Sequence, residues 1–338
     1  MDLTWVDAER GWALAAIPCA TTLCPRVAAT RDGGRSWTVL PTPPGLPADW
    51  WTQVSQIRFA TSRIGYLFGP DLYQTGDGGR SWRRVPAPPV ETLEPVAGSV
   101  IRVVYDHLGC PGPCDRTVQE AADGSGTWHT LLRIPLASDN GGITAQVIWP
   151  GGPVLYIPVY GNPAGGQGAS HAVIFRSTDG GGSWQRLTDP CGGTGLQTHT
   201  AVELAAAPGG FVAALCASIS GLSRTYVRVS ADFGSSWGPP RTVFADSHLI
   251  AAAGPAWLVV ATGGVGGSGP FSYRLAVSAN DGRRWTTEIV GSAQLTSGAP
   301  AAAFLEFDDS GVGWWVSDEH DFWTTDDGGL HWLRLAFP

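Results

Sequence analysis

Two glutamates give this chain its clearest opening for acid–base chemistry. Glu203 and Glu306 each lie eight residues before the aromatic residue that starts a strand-like segment, Phe211 and Trp314. Counted back in the same way from Trp12 and Tyr66, the position holds Thr4 and Arg58. Two carboxyl groups at a set separation are what cleavage of a glycosidic bond needs, one as acid and one as base or nucleophile. The spacing does not fix the distance between these two, and the weak catalytic candidates Glu203 and Glu306 serve equally well as ligand-binding groups. A polar residue recurring among apolar neighbours on an innermost strand also suits a water-filled channel lined with ion pairs. Arg102 and Gln146 are grouped with this set. Trp50 and Trp51, after Pro47-Ala48-Asp49, form a second candidate: a rigid aromatic platform for a sugar ring or a peptide side chain, or else a plug packed into the core.

Metal chemistry has little support. The seven histidines are scattered singly, and the acidic run Asp318-Glu319-His320-Asp321 reads as a solvated turn. The six cysteines fall as Cys19 and Cys24, Cys110 and Cys114, and Cys191 and Cys216. The first two pairs sit close together in Pro/Gly-containing loops and lack Cys-x-x-Cys spacing, which favours disulfides in an oxidising compartment over zinc. No nucleophile elbow, phosphate loop or dinucleotide fingerprint occurs, so no metal and no cofactor are expected.

Charge narrows the partners. With 21 basic and 29 acidic residues the formal net charge is -8, and nucleic acid, which calls for a basic face, is excluded as a partner. Every basic residue is arginine, since the chain has no lysine. The longest apolar run, 249–262, is broken by Gly254-Pro255 and is too short to span a bilayer, so no transmembrane segment is expected. The expected location is extracytoplasmic, with a leader absent from this chain, and the expected assembly is a monomer.

These residues must be positioned by a fold rich in turns, because 46 Gly and 26 Pro exclude a long helical bundle. The tryptophans show how it is organised. Thr30-Arg-Asp32-Gly-Gly-Arg-Ser-Trp37 recurs around Asp77 and Trp82, Asp179 and Trp184, Asp232 and Trp237, and Asp327 and Trp332. Two copies are worn: Asp123 to Trp128 loses its first hydroxyl and second glycine, and Asn280 replaces Asp in the copy ending at Trp285. Upstream of each box lies a hairpin with strand-like alternation, as in 3–14, 57–68 and 305–316. Seven units of about 48 residues predict seven four-stranded antiparallel blades, an all-β seven-bladed propeller. The Asp would accept turn amides and the Trp would pack back on the sheet. Blades are expected near 1–41, 42–86, 87–135, 136–188, 189–240, 241–290 and 291–338, as one domain without strand exchange between first and last blades.

The repeat resembles the Asp-box, or bacterial neuraminidase repeat, and the chain as a whole is similar to sialidase-like repeat proteins and to propellers of the photosystem II stability and assembly factor type. That resemblance implies boxes at the turn between strands three and four, on the rim opposite the ligand face. The ligand face is then built from longer loops such as 17–25, 41–56, 107–116, 133–142, 160–172, 188–200, 263–271 and 291–302. Arg133-Ile134-Pro135 looks like the sialidase Arg-Ile-Pro signature, but it follows the third box at an outer-strand exit, the position held by Val39-Leu40-Pro41 in the first unit. The reading is a non-catalytic binder of a protein or glycan ligand through the loop-rich face and central channel. The alternative is a glycoside hydrolase of the sialidase or xyloglucanase kind.

Overall fold

The structure is a computed structural model that describes residues 2–19, 22–47, 49–105, 115–135, 144–160, 172–192, 199–218, 225–244, 247–262, 269–295, 304–308, 310–317 and 321–336. Cys110, Cys114, the acidic run 318–320 and most of the long loops predicted beyond the first two blades lie outside these residues.

Each sheet is made of four consecutive antiparallel strands. The first holds β1 (Asp2–Trp5), β2 (Gly11–Cys19), β3 (Thr22–Thr30) and β4 (Thr38–Leu40). The second holds β5 (Gln56–Phe59), β6 (Gly65–Phe68), β7 (Leu72–Thr75) and β8 (Arg83–Arg84). The third holds β9 (Val90–Val96), β10 (Ser99–Tyr105), β11 (Arg116–Ala122) and β12 (His129–Ile134). The fourth holds β13 (Thr144–Ala145), β14 (Leu155–Tyr160), β15 (Ala172–Ser177) and β16 (Gln185–Leu187). The fifth holds β17 (His199–Ala207), β18 (Phe211–Ser218), β19 (Thr225–Ser230) and β20 (Arg241–Val243). The sixth holds β21 (Ser247–Gly254), β22 (Trp257–Thr262), β23 (Gly269–Ser278) and β24 (Thr286–Leu295). The seventh holds β25 (Phe304–Phe307), β26 (Gly313–Val316), β27 (Asp321–Thr325) and β28 (Leu333–Ala336). Seven four-stranded blades make this a seven-bladed β-propeller, as predicted. The chain divides into two compact units, Met1–Val159 with Arg176–Trp184, and Tyr160–Phe175 with Gln185–Pro338.

Within the first unit, apolar side chains of neighbouring blades meet in shared clusters. Trp12, Leu14 and Val27 of the first blade pack with Ile57, Phe59, Leu67, Tyr73 and Trp82 of the second. Tyr66, Phe68 and Leu72 pack in turn with Leu93, Val100 and Val104 of the third. The second unit repeats the pattern: Leu215 and Val227 meet Ile250 and Val260, and Val259 and Leu275 meet Trp315.

In the first, second and seventh blades the first hairpin begins at an aromatic–glycine pair. Gly11, Gly65 and Gly313 stand opposite Trp5, Phe59 and Phe307. A Cβ on any of the three would come within 2.4–2.5 Å of the facing ring, so the ring occupies the space a side chain would need.

The repeated Asp turns share one bonding scheme. In the first, Thr30 Oγ1 donates to Asp32 Oδ1 at 2.8 Å and accepts from the Gly34 amide, while the Ser36 amide donates to Asp32 Oδ1. The same bonds recur around Asp77, Asp179 and Asp232. Because several donors converge on each carboxylate, these four are held at about 2, well below the usual range. Asn280 keeps the scheme through Oδ1, which accepts from the Ser278 hydroxyl and the Arg284 amide. At Asp327 a histidine stands in for serine, and His331 Nδ1 lies 2.6 Å from Oδ2. The worn third copy departs from the scheme. Asp123 Oδ1 is buried without a partner among the described residues, and burial pushes its carboxyl up.

Candidate functional site

The first candidate is the segment that leads into the second blade. Asp49 and Trp50 carbonyls accept from the Thr52 and Gln53 amides, folding 50–52 into a single tight turn. Trp50 points inward, is 4% exposed, and donates from Nε1 to the Leu23 carbonyl at 3.2 Å. Leu23 sits in the β2–β3 hairpin, which the Cys19–Cys24 disulfide crosses at a Cα separation of 5.7 Å. Trp50 is therefore the plug, and it ties the connecting segment to the braced hairpin of the first blade. Trp51 turns outward, 40% exposed, with its ring edge-to-face on Trp50 at 6.2 Å. Of the predicted aromatic pair, only Trp51 is exposed to solvent.

The second candidate is the polar set on the inner strands. Arg58 on β5 donates from Nη1 to Asp2 Oδ2 at 2.8 Å and from Nε to Glu94 Oε2 at 3.1 Å, so it bridges the first and third blades. The Ile57 amide donates to the same Asp2 oxygen at 2.7 Å, and the Phe59 amide donates to Thr4 Oγ1 at 3.1 Å. Burial pushes the Glu94 carboxyl up against the downward pull of Arg58. Nearby, Glu91 accepts from Arg116 Nε at 2.7 Å and from the Ala145 amide at 2.9 Å. Asp2 and Glu91 each satisfy a backbone amide on the following blade, whereas Glu94 meets the cation of the preceding one.

The count back from the aromatic needs correction. Thr4, Arg58 and Glu306 do pair with Trp12, Tyr66 and Trp314. Glu203 pairs with Leu215, in register with Asp2 opposite Leu14. The cause is the aromatic chosen as the reference: Phe211 pairs with Ala207 one step nearer the turn than Gly11 with Trp5, so it does not stand where Trp12 stands. Glu203 accordingly does what Asp2 does, its Oε2 accepting from the Ile250 amide at 3.3 Å, and Ile250 is in register with Ile57. The proposed catalytic pair thus occupies different levels of the inner strand.

Burial pushes the Glu203 carboxyl up to about 8. The proton is bound more tightly in the folded state than in the unfolded, so the residue favours folding progressively less as pH rises from about 4.5 to 8. Glu203→Gln keeps the acceptor for Ile250 and removes the titration. Its stability relative to wild type is expected to be unchanged near pH 4 and to rise steadily up to pH 8, read from urea midpoints. Parallel pH curves for the two proteins would contradict this.

Arg102 is a correction of a different kind. It lies on β10, the second strand, opposite Leu93 and Gln119, and not on the inner strand β9. Its side chain is buried, with Nε donating to Gln119 Oε1 at 3.0 Å and the guanidinium stacked 3.7 Å over Trp128. Burial lowers it to about 10, and Nη1 has no partner among the described residues. Arg102 is a packing residue within the third blade. Gln146 donates from its amide to the Pro158 carbonyl in the fourth blade. Asp2, Glu91 and Glu94 were missed in sequence because their partners lie 25 to 56 residues away. The period of the repeat, which places successive inner strands side by side, was the signal that could have found them.

Two of the three predicted disulfides are described, Cys19–Cys24 and Cys191–Cys216. Both fit an oxidising environment. No helix among the described residues is long and apolar enough to cross a membrane.

No family model and no curated protein matches the sequence. Solved structures match its fold. YCF48 bound to D1 peptide superposes with a TM-score of 0.60 at 16% identity, over 94% of this chain and 90% of that one. The fold is similar to that of YCF48. YCF48 from Cyanidioschyzon merolae gives a TM-score of 0.58 at 15% identity, covering 94% of this chain and 92% of that chain. An ancestral GH74 enzyme gives 0.60 at 13% identity, covering 97% of this chain and 46% of the enzyme. The propeller is thus similar to a peptide-bound protein and to a glycoside hydrolase alike, and at these identities the likeness is one of fold.

Proposed function

We propose that this single-domain propeller, built on Asp-box repeats, is a non-catalytic extracytoplasmic protein that binds a protein or glycan ligand through its loop-rich face. The observation that carries the proposal is Trp51. A large aromatic side chain is held out to solvent on a segment fixed from below by Trp50, by four backbone hydrogen bonds within and beside the turn, and by a disulfide-braced hairpin. Such an anchored aromatic meets a ligand at low entropic cost. The bound peptide of YCF48, on the same fold, supports a protein ligand first.

The test is Trp51→Ala. Because the side chain is exposed, stability should change by less than about 0.5 kcal/mol. Capture of a ligand from glycan arrays and from extracellular protein fractions should weaken about tenfold or more, as for a truncated aromatic anchor. Undiminished capture would remove this face from the site. Trp50→Ala, which empties a core position, separates loss of fold from loss of contact.

The hydrolase reading draws on one observation, the carboxyl of Glu203 that burial keeps protonated at neutral pH, as a general acid requires. Against it stands the bond from the Ile250 amide, which gives that carboxyl a structural job. Turnover of sialosides or polysaccharides that is abolished by Glu203→Gln would establish the hydrolase.

A further inference from the structure

The outermost strand of a blade presents one unpaired edge, and six of the seven blades keep that edge short or charged. The strands β4, β8, β16, β20 and β28 run for two to four residues. The longer β12, of six residues, carries His129 and Arg133. The sixth blade breaks the rule: β24 runs ten residues, from Thr286 to Leu295, past the expected blade boundary at 290. It pairs with β23 along its length and ends the sheet order β21-β22-β23-β24. Its only charged residue, Glu288, sits at the bulge where the register shifts between Leu275 and Ala276. Beyond the bulge, Ile289-Val290-Gly291-Ser292-Ala293-Gln294-Leu295 has neither charge nor proline.

Charge, proline and brevity are usual means of blocking edge-to-edge pairing, and beyond the bulge at Glu288 none of the three is present. Register is pinned instead. Gly291 lies under the ring of Tyr273 on β23, where a Cβ would approach Tyr273 Cζ to 2.3 Å. Val290 is 65% exposed, more than any other large apolar side chain among the described residues. No backbone hydrogen bond among the described residues takes up the outer edge of β24.

We propose that β24 is a strand-addition site, which takes an extended segment of a partner protein as a fifth, hydrogen-bonded strand of the sixth blade. The free edge itself dictates the occupant's conformation, since only an extended backbone matches alternating amides and carbonyls. Size argues for a segment over a second copy of this chain. Seven residues at ~3.3 Å each make a strip about 23 Å long and ~10 Å wide. That falls well short of the roughly 1,200 Å² a stable association of two folded surfaces takes. Chemistry favours a segment rich in β-branched residues with a cation placed to meet Glu288, in keeping with the net charge of -8.

The probe is a fluorescein-labelled, end-capped octapeptide of alternating threonine and valine with a single lysine. Saturable anisotropy with the full chain is expected, with hydrogen-exchange protection gained in 289–295. Val290→Lys, at an exposed side chain, should weaken binding about tenfold by placing a charge on the edge. Val39→Lys on the three-residue β4 should leave binding unchanged, and a probe N-methylated at alternate residues should not bind. Three results would overturn the proposal: no protection in 289–295, equal binding by Val290→Lys, or concentration-dependent self-association that protects β24 without peptide. The last would assign the edge to a second copy. None depends on Trp51.

Discussion

Replacing Trp12 with alanine is expected to cost about 3–5 kcal/mol of stability, the range for deleting a large buried aromatic. Trp12 is 5% exposed, and its ring lies flat on Phe59 of the next blade at 3.9 Å, 5° from parallel. Its Nε1 also donates to the carbonyl of Gly78 in the second Asp turn, at 3.1 Å. One side chain therefore carries both an apolar and a polar link from the first blade to the second. Trp12→Phe divides the two: it should retain most of the packing and lose about 1 kcal/mol for the hydrogen bond. Urea unfolding of the two variants reads both figures. An alanine variant within 1 kcal/mol of wild type would show that the blades are held together elsewhere.

The second large effect is expected at Arg58. Removing its guanidinium leaves Asp2 and Glu94 facing each other's surroundings without their shared cation. Breaking a fully buried pair costs about 3–5 kcal/mol. The Arg58 side chain is 20% exposed and that of Glu94 30%, so solvent screening brings the expected cost of Arg58→Ala to about 2–3 kcal/mol. The sign of its pH dependence follows from Glu94. Burial already raises that carboxyl, and loss of Arg58 raises it further, so the folded variant binds a proton more tightly than the unfolded chain. The deficit should be largest at neutral pH and shrink as pH falls towards 5. A deficit that stays constant with pH would mean that Arg58 contributes packing alone.

How far sequence reading reached depended on the range of the interactions. The Asp turns were legible because their bonds close within four residues, so eight letters hold the whole device. The blade count followed from their spacing. Asn280 was correctly read as a worn copy, and its surviving Oδ1 bonds show why the turn persists. Misreadings began where a hairpin departed from the pattern of the first blade. In the fifth blade the aromatic Phe211 sits next to the turn and is not at the place of Trp12, which left Glu203 at the level of Asp2, and the tight Ala97-Gly98 turn in the third hid Glu94 from a count tuned to longer hairpins. Arg102 was grouped with the channel set because a lone cation in Ser99–Tyr105 resembles a lining position, whereas the stack on Trp128 hides it in the core. Trp50 and Trp51 are adjacent letters with opposite fates, decided by a one-residue rotation within a tight turn.

That rotation has a spectroscopic consequence. Of the 16 tryptophans in the chain, Trp51 alone ranks among the exposed large apolar side chains of the described residues. The remaining indoles are buried or half-buried, several packed edge-on or stacked against other rings. A water-borne quencher such as iodide collides first with the indole at the candidate site. The quenchable fraction of the emission is therefore an intrinsic, label-free signal for occupancy of that face, read out against a background of shielded emitters.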